Sequence, residues 1–349
     1  MNNTLVPSKL RLAAATVLVA ATCACADVPE QPPPAANPAA GSAVSAPSEQ
    51  SSPPPDPAAV RANELGQVPV LMYHRLVDQP TSVYDRTPAA FRAELERLAA
   101  ENYVPVTATE YASGRIDIPA GAHPVVLTFD DGDPTQFALD GAGQPVPGTA
   151  IAILREVADR HPGFRPVASL YVNAAPFGTS DGSGVLPWLR DHGFEIGNHT
   201  QYHTNLASVS DLEVQQAIAR GQREIHQAVP NYTVTSLALP FGAVPGTSAL
   251  AMRGAADGMS YDYACVLLVG SNPAPSPFAA DFDPLSTPRI RSQDASGDEA
   301  RYGSAVWLDQ LAAAPQHRYT SDGVADRISY PAAGGVAPAP RFAARAVAY

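Results

Sequence analysis

Two short motifs in this sequence combine residue types that can bind a metal ion and activate water. In LTFDDG, Asp130 and Asp131 directly follow a run of strand-forming residues. In HTQYH, His199 and His203 stand four residues apart. Residues i and i+4 of a helical turn face the same way, so both imidazoles could reach one ion. With one of the two aspartates they would form the open ligand set of a hydrolytic zinc-type site.

Each motif also has an ordinary structural explanation. Asp-Asp-Gly after a strand is more often a turn or a helix cap, and an isolated HxxxH is more often surface or core than a metal site. The adjacent charges of Asp130 and Asp131 repel each other, which is unfavourable unless a cation, hydrogen bonds or a solvent-filled cleft receives them. A metal ion shared with the histidines would offset that repulsion.

Strand and helix signals alternate from Glu64 onwards, which predicts a mainly parallel sheet, either a barrel or a doubly wound sheet. The strand signals cover residues 68–74, 123–129, 167–173, 194–198, 235–240, 264–270 and 286–292. The helix signals cover residues 87–103, 149–161, 186–193 and 210–229. The candidate residues stand at the C-terminal ends of strands: Tyr73, His74, Asp130, Asp131, Asn173, His199, Pro240 and Phe241. In a parallel barrel such ends converge on the face where active sites form.

The composition excludes one class of partner. The 349 residues are 45% apolar, which is ample for a core, and 34 acidic against 22 basic residues give a net charge of -12. This sign is wrong for binding a phosphate backbone, so nucleic acid is not expected as a partner. We expect a monomer.

The N-terminus reads as an export signal. Residues 1–25 contain Lys9 and Arg11, then a short apolar stretch, then small residues and cysteine. Cys23 or Cys25 stands where a bacterial lipoprotein carries its lipid, and a plain secreted or anchored form is the alternative. The protein is therefore expected outside the cytoplasm of a bacterium, secreted or tethered to the membrane.

A linker and one catalytic domain follow the signal. Residues 26–63 are rich in Pro, Ala and Ser and are predicted to be disordered, and the domain spans residues 64–349. Cys265 is the only cysteine of this domain, so no disulfide is expected within it, and its apolar surroundings predict a buried side chain. Four other histidines are predicted to face solvent: His123, His161, His192 and His226.

Three motifs together resemble the polysaccharide deacetylase family of carbohydrate esterases: LTFDDG at 127–132, GNHTQYH at 197–203 and LALPFG at 237–242. They stand in the family's order. PVLMYHR near the start is similar to the opening strand of the branch that acts on poly-N-acetylglucosamine and related wall polymers. The resemblance covers roughly residues 68–291 and implies an α/β fold, a distorted (β/α) barrel of parallel strands with fewer than eight full units.

The resemblance also implies a role for each matching residue. Asp130 would be the general base that takes a proton from water, while a metal ion polarises an acetamide carbonyl. One divalent ion, with Zn2+ the first choice, would be bound by Asp131, His199 and His203, and Thr200 would help to hold that motif. The substrate and oxyanion side would comprise Phe241, through a nearby backbone N–H, with Pro240 and Tyr73.

Two family features are missing from their usual positions. Ala238 replaces the arginine that braces the catalytic aspartate, and Arg289 or Arg291 is the candidate substitute unless its side chain points to solvent. The late Leu-x-His that supplies the general acid is absent as well. His74 is the better candidate for the acid, and the alternative is a packed histidine beside Tyr73.

These observations predict an exported, metal-dependent hydrolase that removes N-acetyl groups, or O-acetyl groups, from a cell-wall or extracellular polysaccharide. Its partner would be an N-acetylated polysaccharide or a peptidoglycan glycan strand, and a lipid on Cys23 or Cys25 would attach it to the membrane. Two alternatives stay open. One is a catalytically weak or inactive wall-polymer-binding lipoprotein on the same fold, and the other is a metal-dependent hydrolase of a non-sugar amide.

Overall fold

A curled parallel sheet is the centre of the structure, a computed structural model that describes residues 55–297 and 299–349. The strands are β1 Val70–Tyr73, β2 Tyr103–Val106, β3 His123–Phe129, β4 Ser169–Val172, β5 Glu195–Asn198, β6 Ser236–Ala238, β7 Arg253–Ala256, β8 Met259–Asp262, β9 Cys265–Leu267, β10 Ile290–Arg291, β11 Ile328–Tyr330 and β12 Ala346–Ala348. The helices are α1 Pro88–Ala100, α2 Ala108–Ser113, α3 Ala150–Arg160, α4 Leu186–Asp191, α5 Asp211–Ala228 and α6 Ser304–Ala313.

The main sheet has the strand order β10-β1-β3-β4-β5-β6-β9, and β2 pairs with the first half of β3. All of these pairs are parallel. A further parallel bridge between Leu267 and Thr287 brings the segment that leads to β10 against β9, so the two edges of the sheet meet. The predicted distorted (β/α) barrel with fewer than eight full units is confirmed.

Helices α1 and α5 begin where their sequence signals place them. Thr87 caps α1 by accepting a hydrogen bond from the Ala90 N–H, and Pro88 lies in the first turn. Ser210 and Glu213 form a capping box at the start of α5. The face that α1 turns to the core carries Phe91, Leu95 and Leu98.

Several short elements have no clear signal in the sequence: β2, α2, the β7–β8 hairpin, α6, β11 and β12. Strand β2 has only four residues and contains Pro105, which cannot donate to a ladder, and α2 has only six residues. Elements this short depend on pairing and packing with distant parts of the chain. Local periodicity therefore cannot predict them.

The C-terminal segment packs under the N-terminal ends of the strands. The Asn63 N–H donates to the Thr320 carbonyl, and Nδ1 of His123, the first residue of β3, lies 2.8 Å from the Tyr319 carbonyl. The prediction that His123 faces solvent is wrong, because this segment covers it. Burial lowers the pKa of His123 to about 4.

Residues 1–54 lie outside the described residues, and with them the predicted signal, Cys23, Cys25 and most of the predicted linker. The division into signal, linker and catalytic domain stays a prediction. No helix among the described residues is long and apolar enough to cross a membrane. Cys265 lies buried in β9 as a free thiol, which confirms the prediction for that residue.

Candidate active site

The first motif lies at the end of β3, whose seven residues are all buried. Asp130 follows the strand inside the barrel and is only 2% exposed. Asp131 has a φ of +75°, in the left-handed region that few residues other than glycine adopt. The chain turns sharply there, so that Asp130 stays enclosed while the Asp131 side chain is 42% exposed.

His199 and His203 lie on a loop after β5, so the predicted helical turn is wrong. Thr200 and His203 have φ angles of +63° and +51°, which an α-helix does not allow. Side-chain hydrogen bonds replace helical ones. The Asn198 side chain accepts from the Thr200 N–H, and the Asn173 amide donates to the carbonyls of His199 and Thr200. This loop geometry brings the two imidazoles together.

Helix α5 supports the histidine loop by close packing. The Asn198 amide also donates to the Ile218 carbonyl on α5 at 2.8 Å. Gly221 faces the loop, where an added Cβ would lie 2.4 Å from Asn198 Oδ1 and 2.9 Å from the Thr200 carbonyl carbon. Only glycine leaves room for this approach, although glycine is unfavourable inside a helix.

Asp131, His199 and His203 form a cluster that fits a divalent metal ion. Nε2 of each histidine lies 3.5 Å from Oδ1 of Asp131, and the three ligand atoms are all within 4.8 Å of one another. His199 Nδ1 donates to the Ala238 carbonyl at 2.7 Å, so its Nε2 presents a lone pair. That Nε2 is buried and has no hydrogen-bond partner among the described residues. Burying a polar nitrogen without a partner destabilises a protein, and a metal ion bound to Nε2 would remove that cost.

The protonation states of two ligands also suit a metal ion. Burial lowers the pKa of His203 below its ordinary value, and the neighbouring His199 lowers it further. Burial alone would raise the pKa of Asp131, but the neighbouring His199 ring holds it below the usual range. Near neutral pH His203 is therefore neutral and Asp131 is ionised, which are the forms that bind metal ions.

Asp130 is paired with Arg289, which precedes β10. Two hydrogen bonds of 2.7 Å join the guanidinium to both carboxylate oxygens. Arg289 is itself fully buried and also donates to the Leu268 carbonyl at 2.8 Å. Burial alone would raise the pKa of Asp130, but the charge of Arg289 holds it well below the usual range. Asp130 is therefore ionised at neutral pH.

This pair decides between the two candidates for the bracing arginine. Arg289 binds Asp130, whereas Arg291 donates to Gln293 Oε1 at 2.6 Å and lies 5.7 Å from the centre of the Tyr84 ring. Ala238 contributes only its carbonyl, which holds the His199 ring. The bracing arginine thus comes from the segment before β10, whereas the third motif begins in β6.

His74 lies on the same face, at the end of β1. Its Nε2 is 3.9 Å from Oδ2 of Asp130, and its ring packs 4.9 Å from the Tyr84 ring. Burial lowers the pKa of His74 below its ordinary value, although the charges of Asp130 and Asp131 oppose that effect. The ring is therefore neutral at neutral pH, and it stands next to the Asp130 carboxylate.

The three residues predicted for the substrate side differ in their positions. Phe241 is 64% exposed, has a φ of +59°, and packs 4.4 Å from the His203 ring. Pro240 is buried directly before it. Tyr73 belongs to the core, because it is fully buried and its hydroxyl donates to Glu94 at 2.9 Å. This corrects the expectation that Tyr73 faces the substrate.

Tyr84 and Gln136 are neighbours of the site that the motifs do not reveal. Tyr84 lies on a loop that the bidentate pair of Arg75 and Asp85 holds in place. Neither Tyr84 nor Gln136 belongs to a recognisable motif. Only the fold brings them to this face.

A comparison with protein families supports the resemblance to polysaccharide deacetylases that the sequence motifs indicate. Residues 166–256 match the family model described as polysaccharide deacetylase. The chain carries a polysaccharide deacetylase domain. The matched part of the deacetylase domain includes His199, His203 and Phe241, but it ends before Arg289 and begins after Asp130. The sheet places these two residues beside the matched part.

A solved deacetylase has a similar fold. The deacetylase PplD from Streptococcus pyogenes, in complex with acetate, is 18% identical with a TM-score of 0.50, covering 64% of this chain and 92% of that chain. IcaB from Ammonifex degensii is 19% identical with a TM-score of 0.49, covering 69% of this chain and 97% of that chain. At this level of identity the similarity to PplD concerns the fold of the deacetylase domain.

Proposed function

We propose that this protein is an exported, metal-dependent hydrolase that removes N-acetyl groups from a cell-wall or extracellular polysaccharide, with O-acetyl groups as the second choice. The observation that carries the proposal is the position of Asp130, which Arg289 braces next to the cluster of Asp131, His199 and His203. The family match supports the reaction class, and the predicted signal supports export.

Asp130 is the residue that would take a proton from the attacking water. A divalent ion held by the three ligands, most simply Zn2+, would supply Lewis acidity beside the acetyl carbonyl. Arg289 keeps the Asp130 carboxylate charged and in one orientation, at the cost of making it a weaker base. The backbone N–H of Phe241 would donate to the carbonyl oxygen as negative charge develops there.

His74 would return the proton to the leaving group. It is neutral at rest and lies 3.9 Å from Asp130, so it can receive the proton that Asp130 took from water. It would then protonate the amide nitrogen as the bond between carbon and nitrogen breaks. The products are a free amine and acetic acid, which releases its proton to solvent and becomes acetate, and the base and the acid are restored.

Acetate release from N-acetylglucosamine oligomers tests this proposal. We expect the full chain to release acetate with added zinc and to lose this activity with a chelator. Asp130→Asn should lower kcat by about 10²- to 10⁴-fold while the protein still binds zinc, because Asp130 is not a metal ligand. Asp140→Asn is the control and should keep full activity, because the Asp140 side chain only accepts from the N–H groups of Ala142 and Gln144 in its own loop.

The alternative functions give different results in this experiment. A wall-polymer-binding lipoprotein would bind the oligomers without turnover, on peptidoglycan and acetylated xylan as well, and Asp130→Asn would leave that affinity intact. A hydrolase of a non-sugar amide would release an acyl product other than acetate from its own substrate. Either result would overturn the proposed polysaccharide deacetylation.

A further inference from the structure

Gln136 is a buried polar residue that none of the roles above explains. It is fully buried on the turn between β3 and α3, where its carbonyl accepts from the Ile151 N–H at 3.0 Å. Its side-chain nitrogen donates to two carbonyl oxygens, those of His74 and Asp130, and the bond to His74 is 3.0 Å long. Because carbonyl groups only accept hydrogen bonds, the partners fix which way the amide points.

The two acceptors belong to the residues that we assign as acid and base. The last pair between β1 and β3 is Tyr73 with Phe129, so His74 and Asp130 each lie one residue beyond the ladder. Strand pairing still holds Asp130 through its N–H, which donates to the Tyr73 carbonyl, but it does not fix the distance from Asp130 to His74. The Gln136 amide is a direct link between their backbones beyond the end of the ladder.

Asp130 has further restraints that do not involve Gln136. Its N–H donates to the Tyr73 carbonyl at 3.0 Å, and Arg289 holds its carboxylate. The chain after His74 is tied to the turn that contains Gln136, since the Leu76 N–H donates to the Thr135 hydroxyl at 3.0 Å. Loss of the Gln136 amide should therefore displace His74 more than Asp130.

The oxygen of the same amide indicates that folding alone does not require a glutamine. Gln136 Oε1 is buried and has no hydrogen-bond partner among the described residues. Such an atom destabilises the folded state, and an apolar side chain of similar size would avoid that cost. The two bonds of the amide nitrogen are thus the feature that an apolar residue could not supply.

We propose that Gln136 is a positioning residue for the deacetylation reaction. Its amide ties the backbone of His74 to that of Asp130 and sets the distance over which the proton passes between them. The inference rests on the proposed function. It predicts a defect in the step that needs His74, the protonation of the leaving nitrogen, and no defect in metal binding.

Gln136→Met tests the inference with two substrates. On N-acetylglucosamine oligomers we expect kcat to fall roughly 10- to 100-fold with little change in KM, because misplaced groups slow chemistry rather than binding. On 4-nitrophenyl acetate, whose leaving group needs no proton, the loss should be clearly smaller. In a His74→Ala background, Gln136→Met should add little further loss on the oligomers. Equal losses on both substrates, or full additivity with His74→Ala, would overturn the proposal.

Gln215→Met is the matched control. Gln215 is partly buried on α5, its amide nitrogen donates to the Asp211 carbonyl at 3.3 Å, and its oxygen accepts from the Ala255 N–H at 3.2 Å. This variant removes the same kind of bond and should keep kcat on both substrates. Thermal unfolding of both variants shows whether either is misfolded.

A readout without turnover separates this inference from the proposed function. In protein with 15N-labelled histidine, the ring signals of His74 should shift in Gln136→Met and stay in place in Gln215→Met. If the wild type releases no acetate, the proposed function fails, and the His74 signals still decide whether Gln136 positions that ring. Unchanged His74 signals in Gln136→Met would refute the positioning role whatever the activity.

Discussion

The two ends of the barrel each bury a carboxylate, and they treat its charge in opposite ways. At the catalytic end Asp130 faces Arg289, whose charge holds the pKa of Asp130 well below its usual range despite burial. At the other end Glu64 is 3% exposed and accepts from the Ser329 N–H at 2.7 Å. Burial, and then the charge of Asp322, raises the pKa of Glu64 to about 8.

The difference shows that burial alone does not decide the charge of a carboxyl group. Both groups lose contact with water, and only Asp130 gains a cation at hydrogen-bonding distance. Glu64 has neutral donors and a neighbouring acid, so it is protonated at neutral pH. The catalytic end thus keeps the charge of Asp130 ready for proton transfer, whereas Glu64 at the opposite end stays neutral.

Removing the cation at the catalytic end should have the largest effect. Arg289→Met leaves Asp130 buried without a partner, and we expect the free energy of unfolding to fall by about 3–5 kcal/mol and acetate release to be lost. Denaturant unfolding with an activity assay checks both. The double variant Arg289→Met/Asp130→Asn should regain part of the stability, because no charge is then left unpaired.

Arg327→Met is the matched change at the opposite end. Arg327 pairs with buried Asp322 at 2.6 Å, so its loss should also destabilise the protein. We expect kcat to stay unchanged, since this pair lies away from the catalytic face. Loss of activity in Arg327→Met at a temperature where the protein is folded would contradict the separation of the two ends.

A substitution in α5 should have an intermediate effect. Gly221→Ala raises helix propensity by about 1 kcal/mol, but its Cβ would collide with Asn198 Oδ1 at 2.4 Å. We expect a net destabilisation of about 1–3 kcal/mol and a zinc affinity lower by about 10-fold, because the histidine loop must move. Thermal unfolding and zinc titration measure these effects.

Gly141→Ala is the control for this prediction. An added Cβ at Gly141 would have no neighbour within 4 Å, so this variant should behave as the wild type. If Gly221→Ala stabilises the protein and leaves zinc binding intact, α5 does not hold the loop in the way the structure indicates.

The smallest effect should come from the protonated carboxyl at the opposite end. The folded pKa of Glu64 is about 8, above its ordinary value of 4.5, so its contribution to stability is present at low pH and is lost as the pH rises towards 8. His123, with a folded pKa of about 4, acts only below pH 6.5 and in the opposite direction. Between about pH 6.5 and 8 the free energy of unfolding should therefore fall by up to about 1.4 kcal/mol per pH unit.

Glu64→Gln should remove that slope, because glutamine has no proton to lose. Denaturant unfolding at several pH values between about 6.5 and 8 compares the variant with the wild type. Glu156→Gln, at a partly exposed glutamate, should keep the wild-type profile. Parallel profiles for wild type and Glu64→Gln would show that Glu64 is already ionised at neutral pH.

The sequence predicted the long elements and the motif residues well. Strand β3 and helix α5 carry strong local signals, and their positions in the structure differ from the prediction by at most one residue at each end. Local sequence signals could not decide whether Arg289 or Arg291 braces Asp130, because residues two apart on a strand face the same side. Pairing of the segment before β10 with β9 decided it.

Residue types and their spacing determined that two aspartates and two histidines could share a metal ion at the ends of parallel strands. They did not determine which aspartate is enclosed, how the histidine loop is built, or that Tyr73 belongs to the core. Those features depend on Arg289, Gly221 and Glu94, which are far away along the chain. Only the closed sheet brings such residues into contact, and contacts of this kind leave no local pattern in the sequence.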